Sequence, residues 1–320
     1  MTTRDYYRSL LAKAAELQAK GAYGEARELL ESMCSMPGIE VLGPKTVLGL
    51  PRRLHAALLR LAKAEGDPIQ RVGYQYHLVP PPVLLARYGH VTPAERAAMV
   101  EANRRSVPRI IHQIWIGNLA PPPATAAWAA HATKQGYEYR LWREQDIEAF
   151  GIDRNPLYGA MLQRADVPGA VDIARYVILE RLGGIYLDAD WYPARSDISF
   201  HDWAPMVGLT VIAEPTPRQT GMGATLLANS FIASPAGHPV FTRLLSALPD
   251  VMEALPEGPA WWATGPLIFT VAARGTSVTV LDHTIVAARF ARGTPETEVI
   301  EHCRLAATND CGLIADWKSW

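Results

Sequence analysis

The chain has 320 residues, 49% of them hydrophobic, with 31 Lys plus Arg against 32 Asp plus Glu and a formal net charge of -1. That length and apolar content suit one large domain or two modest ones around a sizeable core. The even charge excludes a protein that tracks a phosphate backbone, which carries a basic excess, so no nucleic-acid partner is expected. No apolar run approaches the ~18 residues of a membrane-spanning helix, and the opening seven residues lack the apolar core of a secretory signal. Cys34, Cys303 and Cys311 form no Cys-x-x-Cys pair. The expectation is therefore a cytoplasmic protein with reduced thiols and no integral membrane segment.

The first hundred residues predict helices. Leu10, Leu11, Ala14 and Leu17 make one stripe of period 3.6, Gly21 breaks it, and Tyr23, Ala26, Leu29, Leu30 and Met33 begin a second. This pair resembles a single tetratricopeptide unit, but with no second copy it is an appended hairpin and not a solenoid. A third helix opens at Pro51, carries Leu54, Ala57, Leu58 and Leu61, and ends near Gly66. Residues 67–82, closing on Pro80-Pro81-Pro82, read as a linker. Thr92-Pro93-Ala94-Glu95 is a capping box that starts another helix, running to about Arg104. The expected organisation is a helical module over 1–66, a linker and helix over 67–104, and a second domain over 105–320.

From Val107 the texture changes. Arg109-Ile110-Ile111-His112-Gln113-Ile114-Trp115-Ile116 predicts a buried strand, followed by an alanine-rich helix holding Trp128. Tyr137-Glu138-Tyr139-Arg140-Leu141-Trp142 alternates as a strand. A helix over about 170–181 stops at Gly183-Gly184, and the strand Ile185-Tyr186-Leu187 runs straight into Asp188-Ala189-Asp190. Strands are predicted over 207–211, 227–233 and 278–281, with a helix over 239–248. Alternating strands and helices imply an α/β fold with a mainly parallel sheet, whose ligands gather at the carboxyl ends of strands. Asp188 lies at one such end.

In extended chain, residues two apart share a side, so Asp188 and Asp190 would face one cation. Hard oxygen ligands of this kind suit Mg²⁺ or Mn²⁺ held together with substrate phosphates. Asp172 and Arg175, three apart on a helix, share a face. They are either a solvated helix pair or part of the same site. His112 reads as a strand histidine satisfied within the fold, since no second His or Cys stands at ligand spacing from it. Asp-x-Asp also follows an apolar strand in aspartate-nucleophile phosphatases, but there it falls early in the domain with Thr or Val soon after. Here Trp191 follows at mid-chain.

The segment Asp172-Ile173-Ala174-Arg175-Tyr176 through Leu182-Gly183-Gly184-Ile185-Tyr186-Leu187-Asp188-Ala189-Asp190 resembles the sugar-binding Asp-x-Asp region of glycosyltransferase family 32. That family includes fungal α-mannosyltransferases and vertebrate α-hexosyltransferases. The segment is similar also to the catalytic domain of the large clostridial glucosylating toxins. Pro108 to Gly117, Tyr137 to Trp142, the Gly237-His238-Pro239 region and Thr264-Gly265-Pro266 look like further family blocks, so the likeness runs over about 105–320.

The resemblance implies a GT-A fold, Rossmann-like and mainly parallel, and a retaining transfer of a hexose from a nucleotide sugar with Mn²⁺ or Mg²⁺. The donor would be a UDP-sugar, with GDP-mannose the alternative, and the acceptor a glycan, a natural product or a protein. Carried over by position, Trp115 and Ile116 would contact the base, and Asp172 the sugar or ribose hydroxyls. Arg175 would face the sugar and diphosphate, and Tyr186 and Ala189 would line the donor pocket. Asp188 would touch the sugar or metal-bound water, Asp190 would ligate the metal, and Asn229 would sit in a sugar-facing loop. In the tail, Asp316 would be a third metal ligand, with Ser319 and Trp320 near the β-phosphate. For Trp115 and Tyr186 the competing reading is core packing, and for the tail a frayed end. Oligomeric state is unreadable, and an effector secreted into a host cell fits as well as a resident enzyme. The rival function is an inactive transferase-like scaffold whose helices recruit a partner.

Overall fold

A computed structural model describes residues 2–78, 80, 82–214, 225–256, 258–308 and 312–320. The described residues fall into two compact units, 2–84 and 85–214 with 225–320.

The first unit is all helical, with helices Thr3–Ala19, Tyr23–Met33, Arg52–Glu65 and Pro68–His77. Thr2 caps the first by accepting from Asp5 N at 3.2 Å, and Gly21 turns the chain at φ +77, as the stripe pattern predicts. Leu30, Met33, Leu54, Leu58 and Leu61 meet in its core. The expected linker over 67–82 is instead largely the helix Pro68–His77. Its N-cap is Asp67, whose Oδ1 accepts from Ile69 N and Gln70 N at 3.0 Å each. Asp-Pro was a helix start, with the proline at the one position where a missing N–H costs nothing. Pro81 of the expected proline run lies outside the described residues.

The second unit is α/β. Its strands are β1 (Ile110–Ile114), β2 (Glu138–Trp142), β3 (Gly184–Leu187), β4 (Trp191–Pro193), β5 (Thr210–Ala213), β6 (Leu227–Ser234), β7 (Thr279–Val280), β8 (Val286–Phe290) and β9 (Ile314–Trp317). Six form one sheet in the order β2-β1-β3-β6-β5-β7, and β4-β9-β8 form a second. The pairs β1–β2, β1–β3 and β5–β7 are parallel, while β6 is antiparallel to both neighbours. The carboxyl ends of β1, β2 and β3 therefore point the same way, with Trp115 leaving the first and Asp188 the third. The strand expected over 207–211 starts at Thr210 instead, because Gly208 turns at φ +67 where a Cβ would run into Asn103. Helix Pro239–Ala254 outruns its predicted end and passes through Pro249.

Helix Val167–Leu182 is capped by Asp166, whose Oδ1 accepts from Gly169 N at 3.0 Å. It ends at Gly183-Gly184, where a side chain has no room. A Cβ on Gly183 would lie 2.4 Å from Ala236 N, and one on Gly184 2.7 Å from Ile110 O. Both also have positive φ, so only glycine brings this helix so tightly into β3. The junction is locked by His112, fully buried on β1. Its ring nitrogens meet Gly183 O at 2.9 Å and Trp142 Nε1 at 3.2 Å. A carbonyl only accepts and an indole only donates, so the neutral ring carries its proton on Nε2. Cys34 and Cys303 are free thiols, and Cys311 lies outside the described residues. No helix among the described residues is long and apolar enough to cross a membrane.

Candidate functional site

Asp188 leaves β3 held at both main-chain ends: its N–H donates to Ser230 O on β6 at 2.8 Å, and its carbonyl accepts from Trp191 N at 3.1 Å. The second bond closes a turn over Asp188-Ala189-Asp190-Trp191. The Asp pair is thus a turn and not extended chain, and the expected period-two alignment does not apply to it. After the turn the chain enters β4, and Asp190 O accepts from Trp317 N of β9 at 2.8 Å. The turn therefore joins the two sheets.

Behind it lies a polar network inside the protein. Arg175 Nη2 is 3.2 Å from Asp172 Oδ1 and 3.0 Å from Asp188 Oδ1, and Arg175 Nη1 donates to Asn229 O at 2.6 Å. The Arg175 and Asp172 side chains are only 5% and 8% exposed. Asp172 also accepts from Asn229 Nδ2 and from Thr264 Oγ1, each at 2.7 Å. Tyr176 OH donates to Thr264 O at 2.7 Å and accepts from Asn229 Nδ2 at 3.0 Å. Tyr186 OH donates to Asp188 Oδ1 at 2.8 Å, and the guanidinium of Arg175 sits 4.5 Å over the Tyr186 ring. So buried charges here are paired and hydrogen-bonded, the condition under which they are tolerated. The exception is Arg175 Nε, which is buried and lacks a partner among the described residues.

The electrostatics follow from burial. It pushes the Asp172 carboxyl up to about 6 against the pull of Arg175. Burial works against the Arg175 charge too, yet Asp188, Tyr186 and Asp172 around it carry its pKa upward, so it stays protonated. Asp190 differs: no side chain is paired with its carboxylate among the described residues, and only the Lys318 charge and its own main-chain N–H favour the ionised form. Burial, with Asp188 and Asp316 nearby, pushes its carboxyl up to about 7.

Asp316 sits on β9 in register with Trp191 on one side and Arg289 on the other. Its Oδ2 pairs with Arg289 at 2.8 Å, and burial raises its carboxyl as well. The residues 314–317 are a central strand, so that part of the tail is ordered structure. Beyond it, the Trp320 ring meets Trp115 edge to face with centroids 4.7 Å apart. Lys318 Nζ is 5.5 Å from the Trp320 ring. Ile116 and Ser319 are half-buried and Ala189 is buried.

The three expected metal ligands are therefore near one another but differently engaged. Arg175 takes Asp188, Arg289 takes Asp316, and Asp190 is left. Among the described residues, no group of three or more His, Cys, Asp or Glu side chains stands in a geometry that would hold a metal ion. The donor set is nonetheless right for a hard cation: a carboxylate without an ion pair, its pKa raised beside two further carboxylates, is what such an ion relieves.

Asn229, expected to face a sugar, has its amide committed to Asp172 and Tyr176. Tyr176, Thr264, Gln113 and Tyr139 belong to this site without having been singled out from sequence. Their common feature is a hydrogen-bonding side chain at a buried or half-buried position, where a partner is needed.

The family described as "Glycosyltransferase sugar-binding region containing DXD motif" matches residues 124–205, a span that holds Asp172, Arg175, Asp188 and Asp190. The chain is 26% identical over 178 residues to a protein of Schizosaccharomyces pombe named inositol phosphoceramide mannosyltransferase 3. That alignment takes in 52% of this chain and 44% of the relative, so it spans less than half the relative's length. Among solved structures, the glycosyltransferase PaToxG aligns at TM-score 0.41 and 18% identity, over 60% of this chain and 76% of that one. The catalytic domain of alpha-toxin from Clostridium novyi aligns at TM-score 0.37 and 11% identity, over 71% and 82%.

Proposed function

We propose that this chain, which carries a glycosyltransferase sugar-binding region over 124–205, transfers a hexose from a nucleotide sugar to an acceptor hydroxyl with retention of configuration, on a domain of GT-A type. The observation that carries the reading is the Arg175–Asp188 pair, 3.0 Å apart at the carboxyl end of β3, with the Asp190 carboxylate two residues on.

Breaking the bond between anomeric carbon and phosphate oxygen puts negative charge on the departing diphosphate and oxocarbenium character on the sugar. Asp190, with Asp188 and Asp316 beside it, would hold Mn²⁺ or Mg²⁺, which supplies neutralisation of the diphosphate charge. Arg175 holds the Asp188 carboxylate fixed in direction through the ion pair, together with the Tyr186 hydroxyl. It adds fixed positive charge beside the leaving group without reorganising during reaction. Every carboxylate of the network behind Asp188 is hydrogen-bonded inside the protein, which leaves none as an evident covalent nucleophile. Retention then follows from attack by the acceptor oxygen on the leaving-group side, its proton passing to the departing phosphate oxygen. Trp115 and Trp320, in contact across the mouth of β1, offer aromatic faces to a nucleobase. A UDP-sugar is the favoured donor, and the name of the yeast relative makes a mannosyl donor the one to test beside it.

The test is thermal stability across nucleoside diphosphates and nucleotide sugars, each with and without Mn²⁺. At about 100 times its Kd, a true donor adds ~2.7 kcal/mol. The expected result is stabilisation by one donor class that requires metal and disappears in Asp190→Ala. No shift with any nucleotide, metal present or absent, overturns the reading.

A further inference from the structure

We propose that Gln113 and Tyr139 form a clamp that fixes the Asp188–Trp191 turn, and that they are positioning residues for the two carboxylates this turn presents. Gln113 is fully buried on β1. Its Nε2 donates to Asp188 O at 3.2 Å, and its Oε1 accepts from Tyr139 OH on β2 at 2.9 Å. The orientation of the amide is not free. A main-chain carbonyl can only accept, so the NH₂ must face Asp188 and the oxygen must face the tyrosine. Asp188 O therefore dictates which way Gln113 points, Tyr139 OH donates to the amide oxygen left over and holds it there, and Gln113 supplies Asp188 O with a donor besides Trp191 N.

The location gives this relay its effect. Asp188 O is the acceptor that closes the turn through Trp191 N at 3.1 Å. With one donor the peptide after Asp188 could still rotate about that bond; with two donors from different strands it is held. The direction in which Ala189 and Asp190 leave β3 is set by that peptide. The relay runs from β2 through β1 to the end of β3, three neighbouring strands of one sheet, so the turn inherits the rigidity of the sheet. Asp190 has no side-chain partner to fix it from the other direction, which leaves the main-chain clamp, together with the Trp317 bond to Asp190 O, to hold its place. A fully buried glutamine is costly unless such bonds are made.

The clamp is a claim about the turn. Its consequence for metal affinity rests on the transferase reading, so two separate readouts are needed. Hydrogen exchange of the full chain reports the turn directly. In Tyr139→Phe, which removes one hydroxyl and keeps the ring, exchange at 188–191 should accelerate about fivefold, the factor one buried hydrogen bond is worth. Gln113→Glu, of the same shape but with an oxygen facing Asp188 O, should accelerate it at least tenfold, while amides of helix 239–254 stay at the wild-type rate. Mn²⁺ affinity, measured by electron paramagnetic resonance with the metal alone, should weaken in both variants in the same order. Unchanged exchange at 188–191, or acceleration spread evenly over the unit, overturns the clamp. Local acceleration with undiminished Mn²⁺ affinity overturns the positioning role. Local acceleration in a protein whose wild type binds no Mn²⁺ upholds the clamp and sinks the metal reading instead.

Discussion

Arg175 stands 3.0 Å from Asp188 across the junction between helix Val167–Leu182 and the end of β3, and the same guanidinium reaches back 3.2 Å to Asp172. A helix residue thus neutralises the first acid of the Asp-x-Asp turn from behind. Nothing in the sequence spacing requires this, because residues 175 and 188 are brought together only by the Gly183-Gly184 hinge.

Removing that cation strands two carboxylates in a desolvated place. Arg175→Ala should therefore destabilise the fold by about 3–5 kcal/mol, the usual cost of breaking a buried ion pair from one side. Arg175→Lys keeps the charge but cannot bond Asp172, Asp188 and Asn229 O at once, and should fall between wild type and Ala. Denaturant titration of the three proteins gives this order. A wild-type midpoint in Arg175→Ala would mean that the pairing is not the support it is argued to be.

His112 predicts a pH dependence. Burial pulls its pKa down from 6.5 to about 4, against the opposing pull of its hydrogen bond to Gly183 O. The unfolded chain binds the extra proton between pH 6.5 and 4, so stability falls as the pH drops through that window and is unaffected by this group above it. The loss is on the order of 3 kcal/mol by pH 4. Subtracting the profile of His112→Asn, which cannot titrate, isolates the contribution; parallel profiles would count against it.

Much of this fold is legible in the sequence because the signals are local. The strand before Trp115, the helix ending at Gly183-Gly184 and the capping box at Thr92 each announce themselves within a few residues. What was hidden is tertiary. β4, β8 and β9 are three to five residues long and carry Arg289 and Asp316; only their pairing, more than a hundred residues apart for β4 and β9, makes them strands. The site divides in the same way. Asp172, Arg175, Asp188 and Asp190 lie in one readable stretch, whereas Thr264 reaches Asp172 from 92 residues away. The Asp67-Pro68 helix start is a different case, since its capping signal is local and present, but the Pro80-Pro81-Pro82 run downstream makes the whole stretch read as a linker.

The Trp115–Trp320 contact predicts where a nucleobase is held. If the base stacks at this pair, Trp115→Ala should weaken binding of the matching nucleoside diphosphate roughly tenfold or more, since a base–aromatic stack contributes about 1–3 kcal/mol. Trp320→Ala should have a similar effect, and the two losses should not add, because the rings already touch. Calorimetric titration of both single variants and the double variant measures this. Undiminished affinity in Trp115→Ala would place the base elsewhere.

Asp190 offers a test that needs no acceptor. In the metal-free protein its carboxyl is pushed from 3.8 to about 7, so between those values the folded state binds more protons than the unfolded state. Ionising Asp190 therefore costs stability progressively as pH rises from about 4 to 7, and the full penalty persists above 7. Asp190→Asn removes the penalty. The metal-free variant should melt at least ~2 °C above wild type at pH 8, and the advantage should vanish below about pH 3, where wild-type Asp190 is protonated in both states. Added Mn²⁺ should invert the ranking at pH 8, because only the wild type retains the carboxylate the cation would use. A variant that melts with the wild type at every pH, with or without Mn²⁺, would show that this carboxylate is already satisfied, and the argument for a cation at the end of β3 would go with it.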